Sequence, residues 1–168
     1  AAAAEPGPAD VRRALTDWDR EMAADRPEPL LFAAWHRALS RAIFADELGP
    51  HFQEHFGHKT RFLMTVLAAD SDASHWCDDI TTTDRTETCA DRVAAALDQA
   101  MTTLSQRFGG SWESWAWGDA HQVVQAHRPF SSVDPLKDFF QLTAPVGGGS
   151  YTVNVASGSF QGPEPHKT

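Results

Sequence analysis

Cys89, Val93, Leu97, Met101, Leu104 and Phe108 recur at spacings of three and four, and Gly109-Gly110 follow at once. That period is the pitch of an α-helix, so the six side chains form one apolar stripe. A helix with one apolar face must bury it against another layer, so this segment cannot be an isolated element. Asp84 and Glu87, three residues apart, are read as a capping box that opens the helix, with the two glycines as its stop. A stripe of this kind, even with a Met and an aromatic in it, is core rather than a cofactor box.

Covering layers are legible upstream. Val11, Leu15, Trp18 and Met22 share a helical face, with Arg12, Asp19 and Arg20 outside it, which predicts a helix that runs until the Arg26-Pro27 step. A second helix is expected from Pro29, a residue suited to a first turn, carrying Leu31, Trp35, Leu39, Ala42 and Ile43 inward and Arg37, Ser40 and Arg41 outward. Gly49-Pro50 breaks it, a His-rich stretch follows, and residues 62–69 predict a short buried helix before a loop over 70–83. Beyond Gly110 three tryptophans, Trp112, Trp115 and Trp117, crowd together, and Gly147, Gly148 and Gly149 precede an alternating segment, Tyr151-Thr-Val-Asn-Val155, that predicts a strand. The domain reading is one body: a flexible lead-in over 1–9, a helical part over 10–110, and a mixed part over 111–168 with a core strand near 150–156.

A chain of 168 residues can bury one core. Its formal net charge of -9, most of it in the first hundred residues, leaves no clustered Lys and Arg to neutralise phosphates, so no nucleic-acid partner is expected. No run approaches the ~20 apolar residues that cross a bilayer, so no membrane partner is expected either. Cys77 and Cys89 flank an acidic, Thr-rich loop and belong to no C-x-x-C pair. Closing that loop as a disulfide would contribute ~3 kcal/mol and suits an oxidising compartment; two buried free thiols are the alternative.

Candidate chemistry within the chain is thin. His51-Phe-Gln-Glu54-His55 matches the H-x-x-E-H pattern, in which two histidines one turn apart bind zinc and the glutamate acts as base. The segment lies between Gly49-Pro50 and Gly57, too short for a two-turn ligand helix, and a third ligand such as Glu87 or Asp91 falls on a separately capped helix, so the expectation is an exposed turn and no metal. No G-x-S-x-G elbow occurs. A cysteine nucleophile paired with His75 would be consumed by the disulfide. Phosphate binding at residues 147–149 lacks the helix N-terminus that such loops use.

Taken together, the segments resemble the penicillin acylase family of N-terminal-nucleophile (Ntn) hydrolases along nearly the whole chain. Leu15-Thr-Asp-Trp-Asp19, Leu31-Phe-Ala-Ala-Trp35 and Ala45-Asp-Glu-Leu-Gly49 resemble paired helices late in the family's large subunit. Trp76-Cys-Asp-Asp79 with Glu87-Thr-Cys89 resembles the loop before a long helix. The most specific match is Trp115-Ala-Trp-Gly-Asp-Ala-His121 with His127 beyond it, similar to a W-x-W-G-x-x-H segment of the family. Pro145-Val-Gly-Gly-Gly-Ser-Tyr-Thr-Val-Asn154 is similar to a glycine turn and T-V-N strand that re-enter the family's central sheet. His127-Arg-Pro-Phe130 replaces the family's His-Pro-Leu, and the chain stops at Thr168 near where the family continues into a final strand.

The resemblance implies an α+β fold, mainly helical, whose C-terminal strands complete the αββα Ntn-hydrolase core. It implies a periplasmic or secreted, self-cleaving precursor whose large subunit begins with a catalytic serine, and a role for this chain as the C-terminal segment of that subunit. Its partners would be the small (alpha) subunit, the N-terminal part of the large subunit and a small-molecule amide, of the β-lactam or N-acyl homoserine lactone type. No cofactor is implied, and calcium, bound by some members, would come from outside this chain. No catalytic residue is expected here, since Ala1 is not a nucleophile; His121 and Asn154 are the candidates for supporting positions around a site. The competing readings are a non-catalytic helical binding module and a zinc hydrolase using His51, Glu54 and His55.

Overall fold

The computed structural model describes residues 9–55, 60–127, 129–149 and 152–153. Its helices are α1 (Ala9–Asp17), α2 (Glu28–Leu48), α3 (Phe52–His55), α4 (Thr60–Val66), α5 (Cys89–Phe108), α6 (Trp117–Ala120) and α7 (Lys137–Phe140). Two strands, β1 (Gln122–Ala126) and β2 (Gln141–Pro145), pair antiparallel with Gln122 opposite Pro145 and Ala126 opposite Gln141. The described part is mainly helical with a small sheet, the α+β character expected from the sequence. The chain divides into two compact units, one of residues up to Ala14 with Ala33–Leu104, the other of Leu15–Phe32 with Ser105 onward.

In the first unit α2 and α5 supply the core. Leu39, Ile43 and Phe44 of α2 and Ala96 of α5 are buried with Phe52, Leu63, Val66 and Cys77. Trp35 adds a directional contact, its indole N–H donating to the Val93 carbonyl at 3.2 Å. Phe44, Phe62 and Trp76 form an aromatic cluster in which Trp76 stands edge-on to both phenyl rings. Helix α4 is shorter than predicted and only half buried. Leu63 and Val66 face inward, whereas Met64 is exposed, because a seven-residue helix presents only one face to the core.

The start of α5 differs from the predicted cap. The helix opens at Cys89, not after Asp84, and Thr88 with Asp91 makes the reciprocal pair: the Asp91 N–H donates to Thr88 Oγ1 at 3.2 Å and the Thr88 N–H to Asp91 Oδ2 at 2.9 Å. Glu87 is drawn elsewhere. Its buried carboxylate accepts the Asp79 N–H at 3.0 Å and the Arg85 Nε–H at 2.6 Å, pinning the loop that the disulfide closes. The C-terminal stop is as expected, with Gly109 at φ 61° donating its N–H to Ser105.

In the second unit α1 ends at Asp17 instead of continuing to Arg26. Trp18 turns its indole N–H onto the Glu21 carbonyl at 3.1 Å, Arg20 takes a φ of 66°, and Asp19 Oδ1 accepts the Glu21 N–H. A helix through 18–26 would tie up the Met22 carbonyl and aim those of Ala24 and Arg26 along its axis, whereas here the three accept from Gly148, Gly118 and Trp117. Residues 22–26 therefore form a non-helical strap with a turn at Ala24-Asp25. Arg26 fixes its end through paired contacts to Asp19 and Glu28.

Candidate functional site

The two segments most distinctive in sequence, residues 115–121 and 145–149, meet on this strap. Trp115 anchors the approach, its indole N–H donating to the Gly109 carbonyl at 2.6 Å. The backbone then runs along the strap: the Trp117 N–H donates to the Arg26 carbonyl at 2.9 Å and the Gly118 N–H to the Ala24 carbonyl at 2.7 Å. From the other side the Gly148 N–H donates to the Met22 carbonyl at 2.7 Å. Such close approach leaves no room for side chains. A Cβ on Gly118 would lie 2.7 Å from the Cβ of Pro145 and 3.0 Å from the Ala24 oxygen, and one on Gly147 would lie 2.7 Å from the Met22 oxygen.

Trp117 and His121 fill the junction. Both are 3% exposed. They sit at the two ends of α6, four residues apart, and their rings stack with centroids 4.5 Å apart and an interplanar angle of 12°. The Trp117 indole N–H donates to the Gly148 carbonyl at 2.9 Å. His121 Nδ1 lies 2.9 Å from the Val146 carbonyl, and the Val146 N–H donates to the His121 carbonyl at 3.1 Å. A carbonyl only accepts, so Nδ1 must carry the proton and a neutral ring presents Nε2 as an acceptor. The imidazole is thus locked in tautomer and orientation, with a backbone carbonyl rather than a carboxylate as its Nδ1 partner. This arrangement orients a polar atom; it supplies no nucleophile.

Asn154 and Ala1 lie outside the described residues, as does most of the strand expected near 150–156; the described pair Thr152 and Val153 forms a bend. His127 stacks on Phe130, centroids 5.2 Å apart and planes 9° apart, and also meets Phe140, which is where the altered His-Arg-Pro-Phe sequence does its packing. Cys77 and Cys89 are joined as a disulfide with Cα atoms 4.9 Å apart, which takes both sulfurs out of nucleophilic chemistry. His75 is tied locally to the Asp72 carbonyl at 2.9 Å.

His51 ends a 3-10 turn and Glu54 and His55 lie on the short helix α3, all three exposed. His51 and Glu54 are 3.5 Å apart with about two-thirds of each side chain in water, and the His51 and His55 rings are 6.5 Å apart. Among the described residues no group of three His, Cys, Asp or Glu side chains could hold a metal ion.

The strap was missed by sequence reasoning, because Val11, Leu15, Trp18 and Met22 fit a helical period equally well. Its one signal was Gly118, a glycine inside a tryptophan-rich segment, which marks a close backbone approach. The anchoring of Glu87 was missed because a T-x-x-D cap follows directly on the D-x-x-E pattern, four residues further along.

The sequence itself settles the family. A penicillin amidase family model matches residues 1–167. The chain belongs to the penicillin amidase family. No curated protein and no solved structure matches it significantly. Family membership makes this chain part of a hydrolase family and agrees with the resemblance seen in residues 115–121 and 145–154. Among the described residues no helix is long and apolar enough to cross a membrane.

Proposed function

We propose that this chain is the C-terminal segment of the large subunit of a penicillin-acylase-like amidohydrolase that cleaves an acyl chain from an amine. The carrying observation is the family match over residues 1–167. The substrate would be an amide of the β-lactam or N-acyl homoserine lactone type. In such an enzyme the oxygen of a serine at the head of the large subunit attacks the amide carbonyl, and its own α-amine takes the hydroxyl proton. A backbone N–H and an asparagine side chain hold the tetrahedral oxyanion. Collapse expels the amine, protonated by the same base, and water then releases the acid from the acyl-serine. The nucleophile and oxyanion donors lie outside this chain, which contributes architecture.

The whole of residues 1–168 then forms a segment of the parent protein, with its last strands completing the αββα core. The small subunit and the N-terminal part of the large subunit are the partners, no cofactor is needed, and any calcium is held elsewhere. The disulfide supports a periplasmic or secreted location, where it would persist. His121 and Asn154 are proposed to support polar groups near the site; for His121 the support is its locked tautomer.

Mass spectrometry of the purified protein tests the reading. The expected result is a companion chain headed by serine and amidase activity only when it is present. Full activity from this chain alone would overturn it. For His121, the assembled enzyme carrying His121→Gln, compared with wild type, should change the pH profile of kcat if the ring positions a group at the site. An unchanged profile with lowered stability assigns it to packing.

A further inference from the structure

The last turn of helix α2 carries two consecutive acidic residues, Asp46 and Glu47, whose carboxyls lie against each other. Asp46 Oδ2 accepts the backbone N–H of Ile80 at 3.1 Å, so this carboxyl tethers the loop between the disulfide cysteines. Its other oxygen, Oδ1, is buried without a hydrogen-bond partner, and so is Glu47 Oε2. Two ionised carboxylates only accept and cannot satisfy each other. One proton shared between the two carboxyls would supply the partner that buried polar atoms almost always have.

We infer that Asp46 and Glu47 share one proton in the folded protein below neutral pH, and that losing it loosens the grip of α2 on loop residues 77–88.

The surrounding charges support this. From α5 comes one cation, Arg92, whose Nη2 is 3.9 Å from Asp46 Oδ2 and 3.1 Å from Asp79 Oδ2, and whose Nε–H donates to the Cys77 carbonyl at 2.8 Å. From the loop come Asp79, already paired with Arg92, and Glu87, already paired with Arg85. Among the described residues a single guanidinium thus faces the three carboxyls of Asp46, Asp79 and Glu47, too little charge to match all of them if each ionises. Burial first, then the contact with Asp46, raises the Glu47 carboxyl to about 7, with Arg92 pulling the other way. A raised value means that the folded form holds a proton which the opened form gives up at ordinary glutamate pH. The closed loop is therefore favoured at low pH, and that preference fades as pH rises from the ordinary glutamate value through about 7.

The test is amide hydrogen exchange of residues 78–88, in the protein with whatever subunits accompany it, followed from pH 5 to pH 8 and corrected for intrinsic exchange. In wild type the opening equilibrium should climb with pH, approaching about tenfold per pH unit before levelling off above neutrality. In Glu47→Gln, whose amide can donate to Asp46 Oδ1 at every pH, the climb should vanish. Equal pH slopes in the two proteins would overturn the inference. Carbon-13 titration of the wild-type carboxyls decides independently of how the variant folds: a Glu47 midpoint near neutrality supports the shared proton, and one in the ordinary glutamate range sinks it.

Discussion

The indole of Trp117 lies almost parallel to the imidazole of His121, 4.5 Å away, while its N–H reaches past the ring to the Gly148 carbonyl. One side chain thus closes a circuit between α6 and the glycine turn. Trp117→Phe keeps an aromatic face for His121 and deletes the donor, leaving a buried carbonyl short of its partner. The expected cost is about 1–3 kcal/mol, and Trp117→Ala, which also empties the junction, should cost about 3–5 kcal/mol. Denaturant unfolding measures both. A Phe variant as stable as wild type would show that the indole N–H is dispensable.

Glycines in this chain should divide by what a Cβ would strike. Gly118→Ala and Gly147→Ala place a methyl 2.7 Å from Pro145 Cβ and from the Met22 carbonyl oxygen, so each should destabilise by about 1–3 kcal/mol through forced separation of the strap. At Gly109 nothing lies within 4 Å, and only its φ of 61° opposes a side chain, for roughly 1 kcal/mol. Thermal melts of the three variants should rank accordingly. A Gly109 variant worse than both others contradicts the packing argument.

Helix α5 offers a choice between two caps, Asp84 and Thr88, four residues apart in sequence. Thr88→Ala should cost about 1 kcal/mol, because the Asp91 N–H loses its acceptor. Asp84→Ala, at the position favoured by pattern alone, should leave stability within about 0.5 kcal/mol of wild type. The reverse ranking in denaturant unfolding would restore the earlier helix start.

Glu87 links the disulfide loop to acid stability. Its bond from the Asp79 N–H, then those from Arg85 and Thr82, hold its carboxyl below the ordinary glutamate value. With the folded value depressed, the unfolded chain binds the proton first as pH falls. The contribution is complete above the ordinary value and disappears as pH drops through the folded one. Melting temperatures of wild type should therefore fall in acid, whereas Glu87→Gln should begin lower at neutral pH and show a shallower acid slope. Parallel slopes would remove Glu87 from this role. Glu47 acts with the opposite sign, so the two titrations separate on the pH axis.

Much of the architecture was readable from local pattern. Helices α2 and α5 announced themselves through apolar periodicity, a proline at one start and paired glycines at one end, because a long amphipathic segment repeats its signal over several turns. The cysteines could be paired because only one pairing exists and the loop between them is short. The W-x-W-G-x-x-H and glycine-turn segments fixed the family without any coordinates.

Residues 18–26 were legible only as a helix, since their apolar spacing is helical and nothing local records that distant N–H groups will claim the strap's carbonyls. That demand comes from Trp117, Gly118 and Gly148, ninety or more residues away in sequence. The short strands β1 and β2 were likewise unannounced, because each is stabilised by pairing with the other rather than by its own pattern. The same holds for charge. Sequence placed Asp46 and Glu47 side by side, but burial against the Arg92 and Asp79 pair decides that they cannot both ionise freely. What sequence determined was periodicity, punctuation and family, which are local and repeated. Tertiary structure decided which backbone groups found partners and which charges lost their water, because both depend on neighbours that only folding brings together.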